Sequence, residues 1–214
     1  TAVEPTLEDS FNTVTYTGNE VSGRQITGVG FQPDFVWIKD RGDGTHWHNL
    51  FDSVRGASER LFSNSTNAES FYNESLQSFD ADGFTVGLDP DVNRSGGGIV
   101  AWAWKGAEIP AINSNGSIPS VVSANPAAGF SIVSYTGNSI IGSTVGHGLN
   151  AAPDVVIYKG RQEGLPQYYA NWAVYHSSLG ATQRLWMNQT SAAQTAGGGD
   201  WINNTEPTDS VFTV

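Results

Sequence analysis

The chain has no cysteine, which excludes a disulfide framework and any thiolate metal site and leaves the redox compartment unmarked. Charge is scarce as well: 14% of residues are charged, against roughly a quarter in ordinary globular domains. Basic residues are the rarer kind, ten Lys and Arg against twenty-one Asp and Glu, for a net charge of −11. Such a surface repels phosphate backbones and anionic membranes, so nucleic acid is not an expected partner. No run approaches the roughly 18 apolar residues of a membrane span, and membrane insertion is not expected. The opening TAVEPTLEDS has neither a basic nor an apolar region and does not read as a signal peptide. It also lacks an initiator Met, which leads us to expect a piece of a longer polypeptide.

What is present is material for a core. Hydrophobic residues make up 38%, with seven Trp, ten Phe and seven Tyr, enough for one large or two small packed domains. The polar surface must then come from Asn, Ser, Thr, Gln and Gly, a composition found in extracellular β-rich binders and fibres.

The chain also repeats itself. FNTVTYTGN at Phe11–Asn19 is answered by FSIVSYTGN at Phe130–Asn138, an offset of 119. PDFVWIK (Pro33–Lys39) is answered by PDVVIYK (Pro153–Lys159) at 120, and GASERLFSNST (Gly56–Thr66) by GATQRLWMNQT (Gly180–Thr190) at 124. FTV at 84–86 returns at 212–214, an offset of 128. An offset that grows only between matched blocks is what loops of different length on one scaffold produce, so the chain reads as two copies of one fold.

Within each copy the signal is strand. NTVTYTG alternates Val14 and Tyr16 with Thr13 and Thr15 and closes on Gly-Asn turn chemistry. DFVWIK and DVVIYK are continuous apolar runs, the pattern of strands covered on both faces. IVAWAWK places Val100, Trp102 and Trp104 on one face, and on the other Ala101 and Ala103, small enough to let something pack close. GFTVG follows the turn residues DADG, and a weak helix is expected only near Thr66–Leu76. The pattern predicts an all-β protein of two tandem antiparallel β-sandwiches, of Greek-key or jelly-roll type, with a barrel as the lesser alternative. The Pro-, Ser- and Gly-containing stretch 105–129 reads as a linker, although SIPSVVSA within it could be the first strand of the second unit. The boundary is placed near Pro110, giving domains 1–109 and 110–214.

These segments together resemble a known family. FNTVTYTGN, GVGFQPDFVWIKDR, LFDSVRG, LFSNST, SFDADGFTVG and VAWAWKG, with their second-copy counterparts NWAVYHSSLGAT and WINNTEPTDSVFTV, are similar to the repeated laminin G-like, concanavalin-type jelly-roll domains of bacteriophage tail fibres and virion surface proteins. The resemblance implies a β-sandwich without enzymatic chemistry or cofactors, on the virion surface. It also implies partners among other virion proteins, homo-oligomeric, favouring a trimer, and host attachment. The end of the chain departs from the pattern. The first GFTVG is followed by GGGIVAWAWK, whereas the second copy reaches Val214 at VFTV. The second sandwich is therefore expected to lack its last strand within residues 110–214, which would come from a continuing chain or a neighbouring subunit.

Catalytic readings find little support. A retaining glycosidase site on one strand would alternate acids, and no Glu has Asp or Glu two residues later. Asp80 and Asp82 do alternate, but beside Gly83 they read as a turn before they read as a calcium or catalytic site. His46 and His48 at i, i+2 suggest a metal, yet two ligands do not make a site. His147 and His176 read as packed or hydrogen-bonded residues, and the glycine runs 96–98 and 197–199 as flexible loops rather than phosphate cradles. Six Asn-x-Ser/Thr sites, at Asn64, Asn73, Asn93, Asn115, Asn188 and Asn203, are read as surface residues. Recognition remains: Trp47 and His48, and in the second copy Tyr168, Tyr169 and Trp172, fall where the offset jumps from 120 to 124. Aromatics in a variable loop stack on sugars or anchor partners, or else Trp47 and Trp172 cap the core.

Overall fold

A computed structural model describes residues 9–42, 44–107, 109–197 and 202–214. Residues 1–8, on which the signal-peptide reading rests, and 198–199 of the second glycine run lie outside the described residues. The fold is all-β, built from antiparallel sheets with, among the described residues, two single-turn helices and one isolated parallel bridge, Ile118 to Val145. The chain divides into two compact units, Thr1–Ser63 with Glu69–Ile109, and Asn64–Ala68 with Pro110–Val214.

Unit 1 runs β1 (Phe11–Thr17), β2 (Arg24–Thr27), β3 (Phe35–Asp40), β4 (Asn49–Asp52), β5 (Gly56–Phe62), β6 (Ser70–Phe71), β7 (Leu76–Asp80), β8 (Gly83–Val86), α1 (Pro90–Asn93) and β9 (Gly98–Trp104). A six-stranded sheet has the order β1-β9-β3-β4-β5-β6, and a three-stranded sheet the order β2-β8-β7. Inward residues of both, among them Val36, Ile38, Phe51, Leu76, Phe84 and Ile99, form one core. The helix expected near Thr66–Leu76 is not there. That segment has no apolar stripe at helical spacing, and pairing with β5 and β8 captures it as β6 and the start of β7. The observed α1 has helix-start chemistry instead, with Pro90 in its first turn and the Asp89 carboxylate accepting from the Asp91 N–H.

The last strand of unit 1 is inserted between its first and third, β1 and β3. β9 pairs with β1 from Phe11↔Trp104 to Thr17↔Gly98, and with β3 from Phe35↔Trp104 to Asp40↔Ile99. Ala101 and Ala103, fully buried, fit it over the core, while Trp104 stacks 4.8 Å from Phe11 and 5.3 Å from Phe35 on the other face. Trp102 lies 6.0 Å from Trp37. The chain entering β9 presses on the TGN turn: a Cβ on Gly18 would lie 2.1 Å from the Arg94 carbonyl oxygen. The Gly18 N–H donates to the Gly97 carbonyl.

Unit 2 runs β10 (Ala111–Asn113), β11 (Ser120–Asn125), β12 (Phe130–Tyr135), β13 (Thr144–Gly146), β14 (Val155–Lys159), α2 (Gln167–Ala170), β15 (Trp172–His176), β16 (Gln183–Trp186), β17 (Gln194–Thr195) and β18 (Val211–Thr213). By the sequence offsets β12, β13, β14, β15, β16 and β18 match β1, β2, β3, β4, β5 and β8. The packing matches too: Tyr16 meets Phe84 edge-on at 6.4 Å, and Tyr135 meets Phe212 at 6.1 Å. SVVSAN is indeed a strand, β11, which extends β12 rather than serving as linker.

The difference lies at β9. Among the described residues no strand joins β12 to β14, which end separate sheets, β10-β11-β12 and β14-β15-β16-β17. DVVIYK is accordingly not covered on both faces as its composition suggested, and Val155 and Ile157 are 45% and 48% exposed.

Candidate functional site

The segment joining β3 to β4 is fixed by polar contacts. Asp40 is fully buried. Burial alone would raise its pKa, but a 2.6 Å bond from Arg94 Nε, the Gly42 N–H at 2.7 Å and the Arg94 charge hold it below the ordinary value. Lys39 Nζ donates to the Asp40 and His46 carbonyls, tying both ends of the turn together. The two histidines go to different partners. His46 Nδ1 lies 2.7 Å from the Asp91 carboxylate, while His48 Nδ1 accepts from the Trp37 indole N–H at 3.0 Å. Burial, aided by the Lys39 charge, keeps His48 below its usual pKa, the neutral form that an accepting Nδ1 requires. Among the described residues no cluster of three or more His, Asp or Glu could hold a metal. Trp47 is half-buried, edge-on to Phe62 at 4.6 Å.

The longer loop of unit 2 folds into α2 and builds an aromatic cluster. Tyr168 meets Trp186 at 5.5 Å and Tyr169 at 5.2 Å, both edge-on. Arg184 lies 4.9 Å from the centre of the Tyr168 ring and 4.8 Å from that of Trp186, and donates to the Tyr168 hydroxyl at 2.6 Å. Tyr169 is 47% exposed at the edge of this cluster. Trp172 does not join it. Its side chain is buried in β15, and its backbone is held by the Asn188 side chain and the Met187 N–H. At 6% exposure Trp172 takes the core-capping position that the sequence reading set beside ligand contact. The offset of 124 sets Trp172 against His48 and leaves Trp47 opposite Asn171, so the two aromatic sets are not equivalent.

An arginine between aromatics is what sequence reasoning missed. Arg60, the counterpart of Arg184, lies 5.3 Å over Phe62 and 4.8 Å over Tyr72. Each has an aromatic ring two residues on, in RLF and RLW, which a strand places on the same face. Arg60 also pairs with Asp89 at 2.9 Å.

The acids tested for catalysis are structural. Asp80 accepts from Ser78 and Thr85 hydroxyls at 2.8 and 2.6 Å. Asp82 sits in the two-residue turn between β7 and β8 and accepts from the Gly28 and Gly30 N–H groups at 3.1 and 2.6 Å. In unit 2 the place of Gly28 is taken by His147, 2% exposed, with Nδ1 accepting from the Leu149 N–H and Nε2 facing the Thr208 carbonyl. Burial keeps it below the usual pKa. Asn93 is no surface residue: fully buried, it donates to the Val21 and Gly87 carbonyls. A cavity lined by Tyr158, Ala173, Tyr175, Arg184 and Ile202 has room on the scale of one water molecule.

Fold and site together define an all-β protein of two compact units, the second of which carries an aromatic cluster with Tyr169 half-exposed at its edge. The chain belongs to the family described as a domain of unknown function, DUF7483, whose model matches residues 6–214. No curated protein and no solved structure matches it.

Proposed function

We propose that the chain is a structural and adhesion segment of a bacteriophage virion, most fitting as part of a tail fibre, with two jelly-roll units of the laminin G-like type. The observation that carries a non-catalytic reading is the use of the candidate acids and histidines. Asp80, Asp82, His46 and His48 are each engaged in fixing turns or rings. The virion placement rests on the sequence resemblance, as do the partners: other virion proteins, further copies of the chain, favouring a trimer, and a host surface glycan or receptor. Antibody labelling of intact particles tests it. Label along a tail fibre supports the reading, label on the capsid replaces it with a decoration or head-fibre role, and no label removes the virion role.

A second reading, a carbohydrate-binding module, is favoured by Tyr169, half-exposed beside Tyr168, Arg184 and Trp186. Sugar rings stack on such faces. Glycan-array binding lost in Tyr169→Ala and retained in Trp47→Ala would place recognition in the unit 2 cluster. Cleavage of polysaccharide that is lost in Asp80→Asn or Asp82→Asn would establish an enzyme in place of both.

A further inference from the structure

We infer that the edges of β12 and β14 form a strand-accepting slot. Its occupant is an extended polypeptide of the β9 type, running antiparallel to both strands and contributed from outside residues 1–214. The inference holds whatever larger structure the chain serves.

Unit 1 shows what fills such a slot. There β9 bonds to β1 on one side and β3 on the other, with alanines over the core and tryptophans outward. Among the described residues of unit 2 the counterparts β12 and β14 are each the last strand of a sheet, and β11 pairs with β12 but not with β14. The free edge of β14 is identified by its bonding parity. The Ser177 N–H donates to the Asp154 carbonyl at 2.8 Å, which extends the β14–β15 ladder and assigns Val156 and Tyr158 to β15. Val155, Ile157 and Lys159 therefore aim their N–H and C=O groups at the opposite edge, as Phe35, Trp37 and Lys39 do toward β9.

Three further differences between the units fall at the same place. Val155 and Ile157 are about half exposed, whereas their counterparts Phe35 and Trp37 are stacked on Trp104 and Trp102. Gly18 is pressed by the backbone entering β9, and its counterpart Gly137 meets nothing within 4 Å. Arg161 Nη2 donates to the Ser134 hydroxyl at 3.0 Å, bridging from the end of β14 to β12 where unit 1 has the start of β9. A row of unpaired backbone groups beside an apolar face is a template for strand addition. The side-chain pattern it selects is that of β9: small residues inward against Val133, Tyr135 and Val156, large apolar ones outward over Val155 and Ile157.

The probe is a labelled synthetic peptide carrying residues 96–106, titrated into the protein of residues 1–214, with hydrogen exchange read at β12 and β14. Saturable binding that slows exchange at Ile157 is expected. N-methylation of the peptide at Val100 and Trp102 removes two ladder donors and is expected to weaken binding roughly tenfold or more. Ile157→Pro removes one slot-facing N–H and leaves the β15 ladder intact. It should lose binding while its circular dichroism and melting temperature stay near wild type. If that variant misfolds, the methylated peptide alone decides. Equal binding of the methylated peptide, absence of binding, or protection of Ile157 in the monomer without peptide overturns the slot. A concentration-dependent dimer protected at Ile157 makes a second copy the occupant and overturns the assignment to an outside strand.

Discussion

Arg184 donates to the Tyr168 hydroxyl while its guanidinium lies within 5 Å of the centres of both the Tyr168 and Trp186 rings. A planar cation held this way joins the α2 loop to β16. Lys cannot reproduce both stacking and the directed hydrogen bond. Arg184→Lys is expected to destabilise unit 2 by about 1–2 kcal/mol, the range for a partly desolvated cation on aromatic faces. Urea titration followed by tryptophan fluorescence checks it.

The aromatic residues of the loop separate by burial. Trp172→Ala leaves a cavity in a buried strand and should cost about 3–5 kcal/mol. Tyr169→Ala, at the half-exposed edge, should change stability by less than about 1 kcal/mol. Calorimetric scans of the two variants give the comparison.

Arg55 is nearly buried, bound by Asp52 at 2.5 Å and Glu69 at 2.9 Å. Burial alone would lower its pKa, and the two carboxylates raise it instead. Arg55→Ala strands the Asp52 charge and should cost about 3–5 kcal/mol. Unit 2 carries Leu179 and His176 at these positions, so adding Asp52→His to Arg55→Leu should recover part of the loss. Chemical denaturation of the single and double variants measures it.

His147 supplies a pH dependence. Its folded pKa lies below the ordinary 6.5, from burial, opposed by the Thr208 carbonyl and the Asp209 charge. Below about pH 6.5 the unfolded chain binds a proton that the folded one refuses, so unfolding takes up protons and stability falls with pH until the folded pKa is reached. Above 6.5 the contribution is complete. His147→Gln should flatten this part of the stability-against-pH curve, read by thermal melts from pH 7.5 to 4.5.

The two TGN glycines should respond oppositely. Gly18→Ala places a Cβ 2.1 Å from a backbone oxygen and should cost more than about 2 kcal/mol, whereas Gly137→Ala, in open space, should be nearly neutral. Paired melting curves test the contrast.

Strands were legible because their signals are local. The alternation of Val14 and Tyr16 and the run at Val36–Ile38 depend on near neighbours, and both became strands. The repeat located matching strands, because β12, β14 and β16 fall at the offsets of β1, β3 and β5. What was hidden depends on distant partners. Nothing near Asp82 announces that Gly28 and Gly30 will meet it, and RLW does not show that Tyr168 will return over Arg184. The aromatic loop was found by its changing length, but burial separated Trp172 from Tyr169, and burial belongs to the assembled sheets.

The Asp82 turn also limits how the halves could trade pieces. Its carboxylate is received by two glycine N–H groups of the first half, and at the matching place the second half has an imidazole seated against Thr208. A recombinant that moved the β7–β8 hairpin into the second half would set an acid against a ring already engaged with Thr208 and Leu149. The duplicated parts have become private to their own halves, and chimeras should survive only when a hairpin travels together with the segment that receives it.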